Sequence, residues 1–320
     1  LLRSLEGFTS IEDALSAIRG ECPLFFVQAL AKKQLVSLIR RQFPHLAMEI
    51  VKEAEKVCQH EFGPLGFGPV NLDKFAEQHG GREECGYLSW HFDFKTGYKW
   101  NPRKFYKEIE IPRDKADIKV PWELSRFQHS VVLGQAYWLT GDERYADEFV
   151  RQVSDWIDQN PHKFGVNWAC TMDVAIRAVN WCWGYCFFKD SQAFTDDFLI
   201  KFLKSILVHG RHIMANLERS PDGVNSNHYL SDIVGLVYLG VMFPEFKEAK
   251  RWREFGVGEL VNEMKKQVYP DGVDYEGSVS YHRLVTELFI SATLLCLKNG
   301  IAFPDWYMKR LEKMIEFVMF

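Results

Sequence analysis

The stretch HYLSDIVGLVYLGVMF, residues 228–243, decides the fold class of this chain. Its apolar residues occur on more than one side of a helix, a pattern typical of a helix in an inner layer. Seven further segments of similar length after residue 120 have a helical period, and short loops join them. Consecutive helices with short connections pack as antiparallel neighbours. The sequence therefore predicts an all-α fold of helical hairpins, arranged as a solenoid or a closed ring.

The first of these segments, WELSRFQHSVVLGQAYWLTGD, covers residues 122–142. Leu124, Phe127, Val131 and Trp138 lie on one stripe of a helix, and Gly141 is a suitable C-cap. The pattern predicts a single helix that ends at Gly141.

The first 118 residues have a different pattern from the rest of the chain. Residues 10–19 and 24–60 have helical periods, whereas residues 61–118 are rich in Gly, Pro and aromatic residues without a sustained period. A long irregular stretch in a compact domain is more often functional than accidental. Because no linker interrupts the chain, we expect one continuous domain, with an N-terminal arm over residues 1–118 and the helical hairpins over residues 119–320.

Composition excludes some classes of function. The 320 residues carry 39 basic and 43 acidic side chains, a net charge of −4, which argues against general nucleic-acid binding. A local basic groove on such a protein still suits an anionic sugar. Aromatic residues make up 15% of the chain, which fits either stacking on sugar rings or filling of gaps between helices. No stretch reaches the length of a transmembrane span, so we expect no membrane insertion.

Two residue types need a separate explanation. Seven cysteines form no metal-type spacing and no disulfide framework, and several have the apolar neighbours of buried thiols: Cys22, Cys58, Cys85, Cys170, Cys182, Cys186 and Cys296. Basic residues are frequent between positions 95 and 115, namely Lys95, Lys99, Arg103, Lys104, Lys107, Arg113 and Lys115. Acidic residues dilute this segment, which favours a solvated face and argues mildly against a densely sulfated partner.

Polar side chains gather at the starts of two apolar helices. NSNHYLSD contains Asn227 and His228, and PDGVDYEGSVSYHRLV contains Glu276, Tyr281 and His282. Each cluster follows a turn and leads into an apolar run. Such joints meet at one face in a ring of hairpins, and unpaired N–H groups at helix starts attract negative charge. The pattern fits either a ligand site for an anion at this face or simple capping of the two helices.

The ordered set of motifs resembles the heparinase II/III-like polysaccharide lyases, which include alginate lyases of the same architecture. The resemblance depends on the pair Asn227 and His228 and on the later pattern E-x-S-x-x-Y-H, with His228 and Tyr281 53 positions apart. Supporting stretches are WHFDFKTGYKW, WELSRFQH, YWLTGDERYA and GVNWACTMDVAIRAVNW, so the similarity covers most of residues 85–300.

The resemblance implies an incomplete α/α toroid followed in the family by a β-sandwich domain. The chain ends at Phe320, where the toroid would finish, so we expect the β-sandwich domain to be absent. That domain supplies a further catalytic His and often a structural metal in the family. We therefore expect no cofactor in this chain. We also expect a bacterial origin and a periplasmic or extracellular location, with a cytoplasmic one as the alternative.

The same resemblance implies cleavage of a uronic-acid polysaccharide by β-elimination. Asn227 and His228 would neutralise the sugar carboxylate, and Tyr281 would remove the C5 proton and protonate the leaving oxygen. A phenol needs nearby positive charge to act as a base near neutral pH. Residues in the matched stretches are expected to bind substrate: Trp122, Arg126, Asn167, Trp168, Arg177 and Glu276.

Structural roles are the alternatives for these residues. Asn227 suits a helix N-cap, His228 a buried core histidine, and Tyr281 a packing position. Glu123 and Arg177 suit a buried ion pair, and Glu276 suits a helix cap. His282 points to a different helix face from Tyr281, which favours a structural role for it.

Two other functions fit the same residues. A glycoside hydrolase on a helical barrel would use two carboxylates such as Asp274 and Glu276. A non-catalytic toroid would bind the glycan without cleaving it.

Overall fold

The computed structural model describes residues 1–20, 23–26, 29–66, 68–81, 86–112 and 114–319. Cys22, Cys85 and Arg113 lie outside the described residues. The chain forms two compact units, Leu1–Gln28 with Ile206–Phe320, and Ala29–Ser205. Within the described residues, no helix is both long and apolar enough to cross a membrane.

The unit Ala29–Ser205 contains most of the predicted N-terminal arm together with the first helical hairpins. Its helices are α2 (Ala29–Gln42), α3 (Pro44–Cys58), α4 (Leu72–Gln78), α5 (Lys119–Ser125), α6 (His129–Thr140), α7 (Arg144–Gln159), α8 (Thr171–Phe188) and the first half of α9 (Asp196–Ala215). Strands β1 (Glu61–Phe62) and β2 (Val70–Asn71) pair antiparallel. Helix α3 packs against α6, so this unit extends across the predicted boundary between residues 118 and 119.

The segment 122–142 is not the single helix that its pattern predicts. Helix α5 ends at Ser125 and α6 begins at His129. Between them Phe127 has a φ of 58°, in the left-handed region that an uninterrupted α-helix cannot contain. Phe127 is fully buried and stacks on Trp90, and this packing holds the bend. Gly141 caps α6 with a φ of 74°, as predicted.

Helix α6 lies at the centre of this unit, with α3, α7 and α8 packed against it. A side chain at Gly134 would lie 2.2 Å from the Phe187 ring, so glycine permits the close approach of α6 and α8. Three tryptophans of this unit, Trp90, Trp156 and Trp181, are fully buried. For these residues the structure favours packing over contact with sugar.

The other unit contains α1 (Ile11–Gly20), the second half of α9, α10 (Asn227–Met242), α11 (Ala249–Gln267), α12 (Val279–Lys298) and α13 (Asp305–Met319). Helix α10 is buried along almost its whole length between α11 and α12, as its sequence predicts. A side chain at Gly240 would lie 2.6 Å from the carbonyl oxygen of Ala249, so glycine permits close contact with α11. The two helices that carry the predicted catalytic residues, α10 and α12, are therefore direct neighbours.

A buried histidine lies between two carboxylates in the unit Ala29–Ser205. His60 Nδ1 lies 3.0 Å from Asp73 Oδ1, and His60 Nε2 lies 3.2 Å from Glu148 Oε1. Glu148 also accepts hydrogen bonds from Tyr87 and Gln152. Burial lowers the pKa of His60, but the hydrogen bonds and charges of Glu148 and Asp73 outweigh it, so the pKa is raised overall. The imidazolium form therefore stabilises the folded unit.

We predict that His60→Asn lowers the free energy of unfolding by about 3 kcal/mol near pH ~6, because it leaves Glu148 buried without its cation. Asn tolerates the backbone φ of 55° at this position. Folding raises the pKa of His60, so its contribution is full below the unfolded pKa of ~6.5 and is lost as the pH rises through the raised value. The difference between wild type and variant should shrink toward pH ~9.

Urea unfolding across this pH range measures the difference. His45→Asn is the matched control, because His45 is exposed on α3. A wild-type minus variant difference that stays constant with pH would contradict the role of the imidazolium.

Candidate active site

The entrance to α10 is organised by side-chain hydrogen bonds. Ser226 is the N-cap, and its hydroxyl accepts a hydrogen bond from the backbone N–H of His228. Asn227 is the first residue of the helix, so the alternative that Asn227 is the N-cap is wrong. The Asn225 amide donates to Glu263 at 2.9 Å, and its oxygen accepts the backbone N–H of Ser220. The loop before α10 is therefore fixed from both sides.

The entrance to α12 has a similar construction. Ser278 is the N-cap and accepts the backbone N–H of Tyr281 at 3.4 Å. The Tyr281 side chain is 48% exposed, which argues against the packing alternative for this residue. The Tyr275 hydroxyl donates to the backbone oxygen of Asn225 at 2.9 Å and so ties this entrance to the loop before α10.

Glu276 joins the two entrances directly. Its carboxylate accepts the backbone N–H of Asn227 at 2.9 Å. The same carboxylate accepts the Asn227 side-chain amide, with Nδ2 at 3.0 and 3.1 Å from the two carboxylate oxygens. Glu276 thus caps α10 across space, and it also fixes which side of the amide is nitrogen. This arrangement brings together two predicted residues that are 49 positions apart in the sequence.

His228 has an acidic partner that the sequence analysis missed. Its side chain is 45% exposed, and Nδ1 lies 3.3 Å from Glu218 Oε2. Asp232, one turn after His228 on α10, accepts the backbone N–H of Glu218 at 2.8 Å. Burial and the charge of Glu218 raise the pKa of Asp232 well above its ordinary value. No spacing rule indicates Glu218, because it lies on the loop after α9 and meets His228 only through the fold.

Asp274 and His282 support the second entrance from inside. Both side chains are buried. His282 Nδ1 accepts the backbone N–H of Asp274, so the ring proton lies on Nε2, which donates to the backbone oxygen of Met314 at 3.0 Å. Burial and the neighbouring Glu276 raise the pKa of Asp274 to about 6. This position of His282 agrees with the structural role that its helix face favours.

The remaining predicted substrate-binding residues belong to the unit Ala29–Ser205. Trp122 and Arg126 are partly exposed at α5. Arg126 donates to Asp173 and to Glu123, so Glu123 pairs with Arg126 and the alternative pairing with Arg177 is wrong. These two carboxylates orient the Arg126 guanidinium.

Asn167, Trp168 and Arg177 are buried inside the same unit. The Arg177 guanidinium lies 4.0 Å from the ring centroid of Trp156. It donates to the backbone oxygens of Ser125 and Asn167. Burial favours a supporting role for these three residues, and their direct contact with substrate stays a prediction.

Comparison with known proteins identifies relatives for most of the chain. Residues 69–320 match the family model described as Heparinase II/III N-terminus. A heparin-sulfate lyase of Pedobacter heparinus is 32% identical over 232 residues, which are 68% of this chain and 34% of that protein. A heparin-sulfate lyase of Bacteroides stercoris is 31% identical over 224 residues, 63% of this chain and 33% of that protein. The chain thus spans about a third of the length of these relatives.

Solved structures agree with this assignment and confirm the fold class predicted from the sequence, an all-α incomplete α/α toroid. The crystal structure of heparan sulfate lyase HepC from Pedobacter heparinus has a TM-score of 0.61 at 29% identity, with 84% of this chain and 38% of that chain covered. Alginate lyase A1-III with a tetrasaccharide has a TM-score of 0.53 at 16% identity, covering 78% of this chain and 75% of that chain, and it shares the fold. With the family model matched from residue 69 to residue 320, this chain is a member of the heparinase II/III family.

Proposed function

We propose that this chain is part of a polysaccharide lyase that cleaves a uronic-acid-containing polysaccharide by β-elimination. The observation that carries the proposal is the joining of the two helix entrances, where Glu276 holds Asn227 through three short contacts. In the sequence, His228 follows Asn227, and Tyr281 lies shortly after Glu276. Both His228 and Tyr281 are about half exposed. The names of the relatives, heparin-sulfate lyases, support the same reaction class.

Removal of the C5 proton of a uronate requires that its carboxylate be neutralised as charge builds. The Asn227 amide has two N–H groups, and the Glu276 carboxylate engages the nitrogen from one side. The second N–H then donates to a carboxylate oxygen of the sugar. His228 supplies the second donor through Nε2 in its imidazolium form, in which Nδ1–H donates to Glu218 and Nε2–H is left for the sugar. Two fixed donors therefore face one acidic sugar in this proposal.

Tyr281 is the proposed base and acid. Its exposed side chain projects from the first turn of α12, where the backbone is fixed by the Ser278 cap. A phenolate that removes the C5 proton becomes a phenol that can protonate the leaving O4 on the same face of the sugar. One side chain thus serves both proton transfers.

The hydrolase alternative receives less support from the two acidic residues. Glu276 is engaged by Asn227, and Asp274 Oδ2 accepts the backbone N–H of Glu276 at 3.3 Å. Asp274 is also buried. Two carboxylates that act on a glycosidic bond with water must both face the sugar.

For the substrate we propose a glycosaminoglycan of the heparan type, because two curated relatives are named heparin-sulfate lyases. The net charge of −4 favours its sparsely sulfated regions. The residues of this chain supply the chemistry without a cofactor in this proposal. We retain the proposal of a periplasmic or extracellular location, where such polymers occur.

The test of the reaction class is a panel of heparan sulfate, alginate and a neutral glucan incubated with the 320-residue chain. A lyase leaves an unsaturated sugar end that absorbs ultraviolet light, and a hydrolase releases a reducing end without that absorbance. Binding of heparan sulfate with no product would instead support the non-catalytic toroid.

We predict that Tyr281→Phe lowers kcat about 10³-fold, because proton transfer at C5 loses its base. The rate of formation of the unsaturated product measures this loss. Tyr269→Phe is the control, because Tyr269 is also exposed and precedes the same helix. Full activity of Tyr281→Phe would contradict the role of Tyr281, and release of reducing ends without ultraviolet absorbance that is lost in Glu276→Gln would establish the hydrolase alternative.

We predict that Glu218→Gln lowers kcat about tenfold with little change in KM, because the imidazole of His228 loses its charged partner. Glu218→Asp should restore part of the rate, since it keeps the carboxylate. Glu287→Gln, an exposed position on α12, is the control for the charge change. An equal loss in the Asp and Gln variants would show that Glu218 acts only through the fold of its loop.

A further inference from the structure

A pocket of about 640 Å³ lies in the unit Ala29–Ser205, between the turn at Asp93–Thr96 and the residues that lead into α5. Its volume is within the range of sites for small ligands. None of the predicted catalytic residues lines it. The residues of its wall are Asp93, Lys95, Thr96, Ile111, Asp114, Lys115, Ala116, Asp117, Ile118, Lys119 and Trp122.

Asp93 fixes the two sides of this pocket to each other. It is fully buried, and its carboxylate accepts the backbone N–H of Lys95 at 2.9 Å and the hydroxyl of Thr96 at 2.8 Å. It also accepts the backbone N–H of Asp117 at 3.0 Å from the other side. The pocket is therefore formed before any ligand binds, which lowers the entropic cost of binding.

Trp122 forms an apolar part of the wall with a fixed orientation. Its indole N–H donates to the backbone oxygen of Val166 at 2.9 Å. The ring packs against a buried cluster that includes Ala116, Ile118 and Val166. A partly exposed indole held at its edge presents a flat surface of the kind on which a pyranose ring stacks.

Positive charge is available at the rim. Lys95, Lys115 and Lys119 are exposed, and within the described residues the ammonium groups of Lys115 and Lys119 form no ion pair. The buried carboxylate of Asp93 is occupied by its three hydrogen bonds. Asp117 accepts the backbone N–H of Lys119 at 3.0 Å. Lysines that the sequence separates by up to 24 positions therefore surround one cavity.

We propose that this pocket is a binding subsite for an acidic sugar unit, whose pyranose ring stacks on Trp122 and whose carboxylate or sulfate binds Lys95, Lys115 and Lys119. The identity of the ligand as part of a polysaccharide rests on the proposed function. The pocket itself takes no part in the bond cleavage. It increases affinity for the polymer and leaves the rate of the chemical step unchanged.

The experiment compares two triple variants of the full chain in a Tyr281→Phe background, so that the probe is not consumed. Lys95→Ala with Lys115→Ala and Lys119→Ala removes the rim charges. Lys33→Ala with Lys52→Ala and Lys204→Ala removes three exposed lysines elsewhere in the same unit and changes the net charge equally. Calorimetric titration uses three probes: an unsulfated heparosan hexasaccharide, a heparan sulfate hexasaccharide and inorganic sulfate.

The pocket variant should bind both hexasaccharides about tenfold more weakly than the control variant. Replacement of the same three lysines by Arg should retain most of the affinity, because it keeps the charge. The heparosan probe, which carries only carboxylates, and the sulfated probe together show which anion the lysines prefer.

Equal affinities of the pocket and control variants would overturn the proposal. Binding of inorganic sulfate as tight as that of the hexasaccharides would also overturn it, since the site would then recognise an anion without a sugar. These outcomes are separate from a failure of the lyase assignment. If the wild-type chain forms no unsaturated product, but hexasaccharide binding still depends on the three lysines, the proposed subsite is supported and the proposed reaction is contradicted.

Discussion

The candidate site depends on one hydrogen-bonded pair, Glu276 with Asn227. The carboxylate accepts both the backbone N–H and the side-chain amide of Asn227, at 2.9 to 3.1 Å. The start of a helix has unpaired N–H groups, and Glu276 satisfies one of them from a different helix entrance. Without this contact the entrances to α10 and α12 would be connected mainly through Tyr275 and the packing of their helices. The Glu276 carboxylate therefore fixes both the position of the Asn227 amide and the position of the two helix starts relative to each other.

A site proposed for a polyanion is surrounded here by carboxylates, and the structure reduces this conflict in two ways. First, Glu276 and Glu218 have hydrogen-bond donors of the site as their partners, so their charge serves to orient Asn227 and His228. Second, burial raises the pKa of Asp274 to about 6 and that of Asp232 well above its ordinary value. The raised pKa of Asp232 reduces its negative charge near neutral pH, which weakens its repulsion of an anionic sugar, whereas Asp274 loses its charge only as the pH falls below about 6.

Helical period and spacing were sufficient to predict an all-α fold of helical hairpins, because apolar stripes report directly on burial. The incomplete α/α toroid was implied by the resemblance of the ordered motifs. Period and spacing failed where tertiary packing overrode local pattern: the bend at Phe127 depends on a ring stack with Trp90, which no helical stripe encodes. Within the site, Asn227, His228 and Tyr281 were indicated by their order along the chain. Glu218 was missed because it meets His228 from a preceding loop, and its own sequence context is that of an ordinary surface glutamate.

The residues predicted to bind substrate in the unit Ala29–Ser205 are connected by hydrogen bonds. Some of them are buried, and others are partly exposed. Arg177 donates hydrogen bonds to the backbone oxygen of Ser125 at the end of α5 and to that of Asn167. Burial lowers the pKa of Arg177 to about 9. Trp122 donates to the backbone oxygen of Val166, next to Asn167 in the same short turn. The buried members thus hold the backbone that positions the partly exposed Trp122. A sequence motif contains the buried supporting residues and the exposed residue alike, since both are needed to keep one side chain at the surface in a fixed orientation. Only the extent of burial distinguishes the two kinds of residue, and the extent of burial is known only from the folded structure.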